Sequence, residues 1–584
     1  MTIRTVLLAA TMLAATPALA APVDDFKRLQ DDYWAAYLKD NPATATSVGV
    51  STYDRELGTF TLAEMDRQAA EAKAFLTRLD AIPLSSLPPS EKANYAILRD
   101  NLQSQITANG FGQRQVNYSI LGSVHSGLAG MGEGQPFRTY ADYDNYLARI
   151  AHVPQVMADY SAMSVKAARE GYTQPCVAMV GFDQTITGVI AADPAKSRFY
   201  APFATDKPAS VTDAQWADLQ ARAKALIAGK INPSYQAFAA TYDRDIKGRC
   251  RTNASISSMP QGKDYYAFQV RQQTTTNLTP DQIHDIGLRE VARIRAEMVE
   301  VAKKAGFASR EAMIADMRTN PKYYAKTPEE LMAAASRMAK IIDGKMPSLF
   351  TRLPRLPYGV KEIPAEIAAG TTTAYYNPGS PDAGLAGFYF VNTSKLDQRP
   401  LWELPALTVH EAVPGHHMQI ATQQELDTPA WRKATAFYTA FVEGWGLYSE
   451  RLGIEMGIYD TPQKNMGRLS YEMWRACRLV VDTGIHAKGW TKEQAVAFMK
   501  DNSALTDANI DAEVNRYISN PGQALAYKLG ELKIRELRAR AEKELGAKFD
   551  LRRFHDAVLG QGALPLDALD TQINDWIAAE KAKG

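Results

Sequence analysis

Residues Leu407–Ile420 read Leu-Thr-Val-His-Glu-Ala-Val-Pro-Gly-His-His-Met-Gln-Ile. Three of the chain's eight histidines, His410, His416 and His417, fall inside this window, and Glu411 follows the first directly. On a helix, residues four apart stand above one another. Metal-dependent hydrolases use that spacing as H-E-x-x-H, which sets two imidazoles on one face with a carboxylate beside them. Here the closing histidine is displaced by two or three residues. On an unbroken helix His417 returns to the face of His410, but seven residues of rise hold the two about 10 Å apart. Two ligands that each sit about 2.0–2.1 Å from one zinc ion cannot be that distant. His416 on an unbroken helix points to another side. Pro414-Gly415 offers the way out: Pro414 has no N–H for the carbonyl of His410, and Gly415 reaches backbone angles that other residues resist. The pair is expected to fold out as a bulge of two extra residues that returns His416 to the place of the second ligand. His417 is then left to support a ligand or to face a substrate. The competing reading is a kinked helix carrying surface histidines.

The pattern His-Glu-x-x-Pro-Gly-His-x-x-Gln resembles the motif of a large bacterial family catalogued as domain-of-unknown-function family 885 (DUF885), grouped with zinc metallopeptidases of the gluzincin type. The stretches Phe441–Glu450 (Phe-Val-Glu-Gly-Trp-Gly-Leu-Tyr-Ser-Glu), Asp482–His486 and Asn520–Lys528 are similar to its recurrent blocks. The likeness is clearest over roughly residues 360–550. It implies a mainly α, large helical metallopeptidase-like fold with a small β-sheet or hairpin next to a deep active-site cleft. It also implies one zinc ion as cofactor and a peptide as substrate.

A zinc hydrolase needs a third protein ligand and one position left open for water. Glu443 is the expected ligand, on a second helix about 30 residues past the first, a distance that allows a turn and an antiparallel return. Phe441-Val442-Glu443 followed by a small residue also resembles the third-ligand segment of oligopeptidases of the thimet type. Glu450, seven residues on, falls on the same helical face; it is the alternative ligand, or an acceptor for a ligand imidazole. Glu411 is the expected general base beside a metal-bound water. A further donor is needed for the oxygen that gains charge as the carbonyl is attacked, and the candidates are Tyr517, Tyr527 and His486. The helix expected over Met466–Lys488 carries Arg475, Arg478, Asp482 and His486 on one face, with apolar Leu479, Val480, Val481 and Ile485 elsewhere. A buried arginine facing the cleft suits a substrate α-carboxylate, bound by two parallel hydrogen bonds, so Arg475 and Arg478 are candidate substrate contacts of a carboxypeptidase or dipeptidase. Two other functions fit part of the pattern: a 2-His-1-carboxylate non-haem iron enzyme, which has no use for Glu411, and a non-catalytic periplasmic binding protein with a relic metal site. The chain contains no G-x-S-x-G, so serine-nucleophile chemistry has no comparable support.

The rest of the 584-residue chain sets the context. Met1–Ala20 has a basic start at Arg4, an apolar run Val6–Ala15 and a small-x-small site at Ala18-Leu19-Ala20. It reads as a cleavable signal peptide, which predicts a periplasmic or secreted protein. No cysteine follows the expected cleavage point, so a bacterial lipid anchor is not indicated, and no later run is long enough to span a bilayer. With Lys and Arg totalling 66 against 65 Asp and Glu, the chain has no global field for nucleic acid or an anionic membrane. Three cysteines fit no zinc-thiolate spacing; Cys176–Cys250 is the expected disulfide, with Cys477 buried on a helix. Apolar residues three and four apart predict helices over Asp24–Leu38, Leu62–Leu79, Pro89–Gln105, Thr139–Glu170, Asp213–Ile227, Thr279–Ala305, Arg310–Arg318 and Pro328–Lys345. A polar, turn-rich stretch near 250–278 suggests a boundary between an N-terminal helical region (21–255) and a catalytic region (256–584). Thr371–Tyr376 and Gly387–Asn392 have the composition of strands. They form either a structural hairpin or an edge strand on which Tyr375 and Tyr376 meet an extended peptide beside the metal.

Overall fold

A computed structural model describes residues 20–116, 118–119, 122–133, 135, 137–364, 368, 372–381 and 384–583. The expected signal peptide lies outside them, apart from Ala20. The fold is mainly α, with one sheet of two strands and one of three. Several helices begin where the sequence offers a hydroxyl acceptor. Thr212 and Thr279 each close a capping box, with Gln215 and Gln282, and Thr461 caps the long helix Pro462–Lys488. The expected run Thr139–Glu170 is two helices, Tyr140–Ile150 and Val153–Arg169. Pro154 explains the break, since its ring excludes the carbonyl four residues earlier and it has no N–H to donate. The turn-rich stretch near 250–278 contains a helix, Gly262–Thr274, whose Tyr266 and Val270 are buried four residues apart. Polar neighbours hid that periodicity.

Packing does not follow the division expected at residue 255. Phe26, Leu29, Phe75 and Leu98 belong to the same apolar cluster as Trp431, Phe441, Trp445 and Ile534. The first three long helices (Ala20–Asp40, Leu62–Asp80 and Pro89–Asn109) are therefore part of the body that holds the motif. Residues 118–246 have a core of their own, around Tyr143, Tyr160, Phe199 and Tyr235. Cys176 and Cys250 form the expected disulfide, and Cys477 is buried.

The three-stranded sheet runs in the order Tyr358–Glu362, Gly387–Val391, Ala374–Asn377, with a parallel and an antiparallel pair. The two expected strands are present, though Thr371 lies outside the described residues. Tyr358–Glu362 is additional. It pairs with a strand about 29 residues away, a contact no local pattern announces. Ala374–Asn377 is an edge strand, and Tyr389 of the central strand is fully buried.

Candidate metal centre

The motif forms two helices, Leu404–Glu411 and His416–Glu425, separated by Ala412–Gly415. The Val413–Pro414 peptide bond is cis. A Cβ at Gly415 would lie 2.0 Å from the carbonyl oxygen of His410 and 2.4 Å from that of Val409, so no other residue fits the return of the chain. The helix Thr439–Leu452 locks this break from the other side. Trp445 donates its indole N–H to the carbonyl of Pro414 at 2.7 Å. At Gly446 a Cβ would meet the His410 ring at 2.8–3.1 Å, and Gly444 lets the helix press on Gly530 of the helix Ala526–Leu545. Each residue of Gly444-Trp445-Gly446 thus has a steric or hydrogen-bonding reason.

The result brings His410, His416 and Glu443 together. One ligand atom from each lies within 4.8 Å of the others. The two imidazole rings are 4.7 Å apart and nearly perpendicular. Glu443 Oε2 stands 3.4 Å from His410 Nε2 and 3.5 Å from His416 Nε2, yet it accepts no hydrogen bond of normal geometry although buried. A buried carboxylate oxygen facing two imidazole nitrogens without a hydrogen bond is the arrangement a cation completes. Two imidazoles and one carboxylate are a catalytic zinc donor set with a position to spare, so these residues fit the metal.

Glu450 settles into the other role foreseen for it. His410 Nδ1 lies 2.8 Å from Glu450 Oε1, which fixes the proton on Nδ1 and leaves the Nε2 lone pair for a metal. Arg475 holds Glu450 in turn at 3.2 Å, and Tyr459 donates to the Glu450 backbone carbonyl at 2.5 Å. Burial opposes a charge on His410, but the pull of Glu443, Glu450 and Glu411 outweighs it and raises the imidazole to about 9. Burial also opposes the Glu443 carboxylate, and the charges of His416 and His410 overcome it and hold that group well below the usual range. Glu411 ends the first ligand helix, buried, and its carboxylate takes no hydrogen bond or ion pair from any described residue.

The family described as "Bacterial protein of unknown function (DUF885)" matches residues 42–573. The chain belongs to this family. A solved structure of a protein from Colwellia psychrerythraea, provisionally called a lipoprotein, is 29% identical with a TM-score of 0.84, covering 95% of this chain and 99% of that one. Another, from Shewanella oneidensis and provisionally called a lipoprotein of unknown function, is 21% identical with a TM-score of 0.74, covering 94% and 99%. The second shares the fold. No curated protein matches the chain significantly.

Several expected site residues of this family member are committed elsewhere. His486 takes the Ile256 N–H on Nδ1 at 3.1 Å and contacts the Tyr517 carbonyl through Nε2 at 3.0 Å. Burial depresses it to about 3, and with both nitrogens used it is a packing residue rather than an oxyanion donor. Tyr517 donates to Glu513 at 2.6 Å and accepts from Trp474 and Arg478, so its hydroxyl has no proton to offer a substrate. Arg475 gives its two terminal nitrogens to Glu450 and the Tyr471 carbonyl, so its fork is already engaged and only Nε is left without a partner. His417 faces the sheet: Nδ1 meets the Tyr376 hydroxyl at 2.9 Å and the ring packs on Tyr358. Burial lowers it to about 4. Tyr376 is spent on that bond, and Tyr375 stacks on Phe390. Tyr376 and His417 tie the edge strand to the second ligand helix, and Tyr375 packs within the sheet. Tyr527 is different. It is half-buried, burial raises its phenol, and the charge of Glu443 adds to that rise.

Sequence reasoning missed Trp445, Gly446 and Tyr459 as parts of the centre. The spacing Glu443-Gly-Trp-Gly held the signal, since two glycines in a helix mark close approach. A cavity of about 830 Å³ lies between the N-terminal helices and the segment Ser519–Pro521, just before Tyr527; none of the metal-centre residues lines it.

Proposed function

We propose that the protein is an exported zinc-dependent peptidase that hydrolyses short peptides in the manner of gluzincins. The observation that carries this reading is the convergence of His410, His416 and Glu443 next to a buried Glu411 whose carboxylate accepts no hydrogen bond or ion pair from any described residue. When bound, the zinc ion would polarise the scissile carbonyl and make its water acidic enough to give up a proton near neutral pH. Glu411 would take that proton and deliver it to the departing amine, a role that requires a carboxylate not already paired. Tyr527, whose phenol feels the charge of Glu443, is the remaining candidate to donate to the carbonyl oxygen as it gains charge. Glu450 and Arg475 keep the His410 ring in one tautomer and one orientation throughout.

Export is supported by the leader-like Met1–Ala20 and by the Cys176–Cys250 disulfide, which suits an oxidising compartment such as the periplasm. No helix among the described residues is long and apolar enough to cross a membrane. The test is elemental analysis of purified protein together with chelator-sensitive cleavage of a peptide library. Glu411→Gln should retain one zinc per chain and lose about 10²–10⁴ in kcat. Full hydrolysis by that variant, or iron in place of zinc with no hydrolysis by the native chain, would remove the reading.

A further inference from the structure

Arg478 is 3% exposed and lies between two aromatic faces, Trp474 at 4.4 Å and Tyr527 at 4.3 Å. Its Nε donates to the Tyr517 hydroxyl at 3.1 Å and its Nη2 to Glu513 at 3.0 Å. Nη1 is buried without any hydrogen-bond partner. Glu513 also pairs with Arg516 at 2.9 Å, so one carboxylate serves two guanidiniums. Leaving a buried charged donor unmet is costly. Stacking on both faces holds the guanidinium in one plane, and a planar fork with an unused donor matches a carboxylate in particular.

Position separates Arg478 from other buried arginines with an unpartnered nitrogen. Arg251 and Arg310 sit away from the metal centre, bonded to loop and helix-end groups. Arg475 spends both terminal nitrogens on Glu450 and Tyr471. Arg478 alone of these stacks on Tyr527, and it follows by three residues on one helix Arg475, which reaches His410 through Glu450. Three residues of helix rise about 4.5 Å and an extended residue spans about 3.5 Å, so a peptide lying along this helix from the His410 end covers the step from Arg475 to Arg478 in one or two residues.

We propose that Arg478, clamped between Trp474 and Tyr527, is the anchor for the free C-terminal carboxylate of a short peptide and sets the cleavage position one or two residues from that end. This inference rests on the peptidase reading and narrows it to a carboxypeptidase or dipeptidase type. Arg478 is then a specificity-determining residue, and Arg475 a positioning residue for His410.

The experiment compares short peptides with free C-termini against the same peptides amidated, using the zinc-loaded full chain. The native protein should favour the free acid by about 10- to 100-fold in kcat/KM, the worth of one charge-assisted hydrogen bond. Arg478→Gln should bring that ratio close to one while zinc content stays at one per chain, and Arg478→Lys should fall between. Equal cleavage of acids and amides by the native chain would overturn the proposal, and needs no variant. So would an Arg478→Gln variant that slows both in parallel. A binding arm is independent of turnover: calorimetric titration of N-acetylated amino acids and their amides into Glu411→Gln, with Arg478 present or replaced. Carboxylate-dependent binding that disappears with Arg478 supports the anchor even if no peptide is cleaved, which would sink the peptidase reading alone. Absent or carboxylate-independent binding sinks the anchor.

Discussion

Replacing Gly446 by alanine should separate metal binding from folding. The added methyl would stand 2.8 Å from His410 Cε1 and 3.0 Å from Nε2. Carbon contacts become comfortable near 3.5 Å, so the ring must retreat by about 0.7 Å. It cannot do so freely, because Glu450 holds Nδ1 at 2.8 Å and is itself held by Arg475. Metal–ligand distances tolerate only about 0.2 Å. A ligand pushed off by more than that should cost about 10- to 100-fold in zinc affinity, as loss of a supporting contact does. Gly446 lies inside the helix Thr439–Leu452, where glycine to alanine adds about 1 kcal/mol of helix propensity. The metal-free variant should therefore melt within a degree or two of the native apoprotein, or above it. The assays are zinc competition against a chromophoric chelator and thermal unfolding in chelator. Native zinc affinity with an unchanged melt would refute the steric argument. A metal-free variant that is unfolded would refute the claim that the methyl's effect is confined to the ligand.

Two further outcomes follow from the same geometry. Gly415→Ala places a methyl 2.0 Å from a backbone oxygen, and with no flexible side chain to give way it should destabilise by at least about 3 kcal/mol in urea unfolding; a loss under 1 kcal/mol would show that the break relaxes. His417, lowered by burial from 6.5 to about 4, stays neutral at pH 5.5 while the unfolded chain's imidazole gains a proton. This contribution to stability is whole above pH 6.5 and is lost as pH falls toward 4, reaching about 1.4 kcal/mol at pH 5.5. The urea midpoint of His417→Gln should accordingly fall less than that of the native chain between pH 7.5 and 5.5, and equal falls would contradict it.

Much of the centre is legible in the chain because it is local. His410, Glu411, Pro414, Gly415 and His416 lie within seven residues, and helix geometry alone forces the question of how the second histidine returns. Glu443 lies two helices after the one that begins at His416, and the glycines that follow it already signal close approach. The helices likewise announce themselves through 3.6-residue periodicity and threonine caps, and fail where Pro154 interrupts a run or polar neighbours mask Tyr266 and Val270. What the sequence could not rank were His417, Tyr517, His486, Arg475 and Arg478, since each is a plausible polar group on a buried face.

The amino-acid order by itself determined the helical class and the window that returns His416 to His410, because these depend on spacing within one or two turns of backbone. Only the tertiary structure decided which buried polar groups were already consumed: Glu450 by His410, Arg475 by Glu450, Tyr517 by Glu513, His417 by Tyr376. Three of these pairs join residues 25 to 41 apart on different elements, while Tyr517 and Glu513 lie four apart on one helix, a pairing that spacing allows but does not choose over other partners. A hydrogen bond's availability depends on what stands across the gap, and spacing along one strand of sequence carries no record of that.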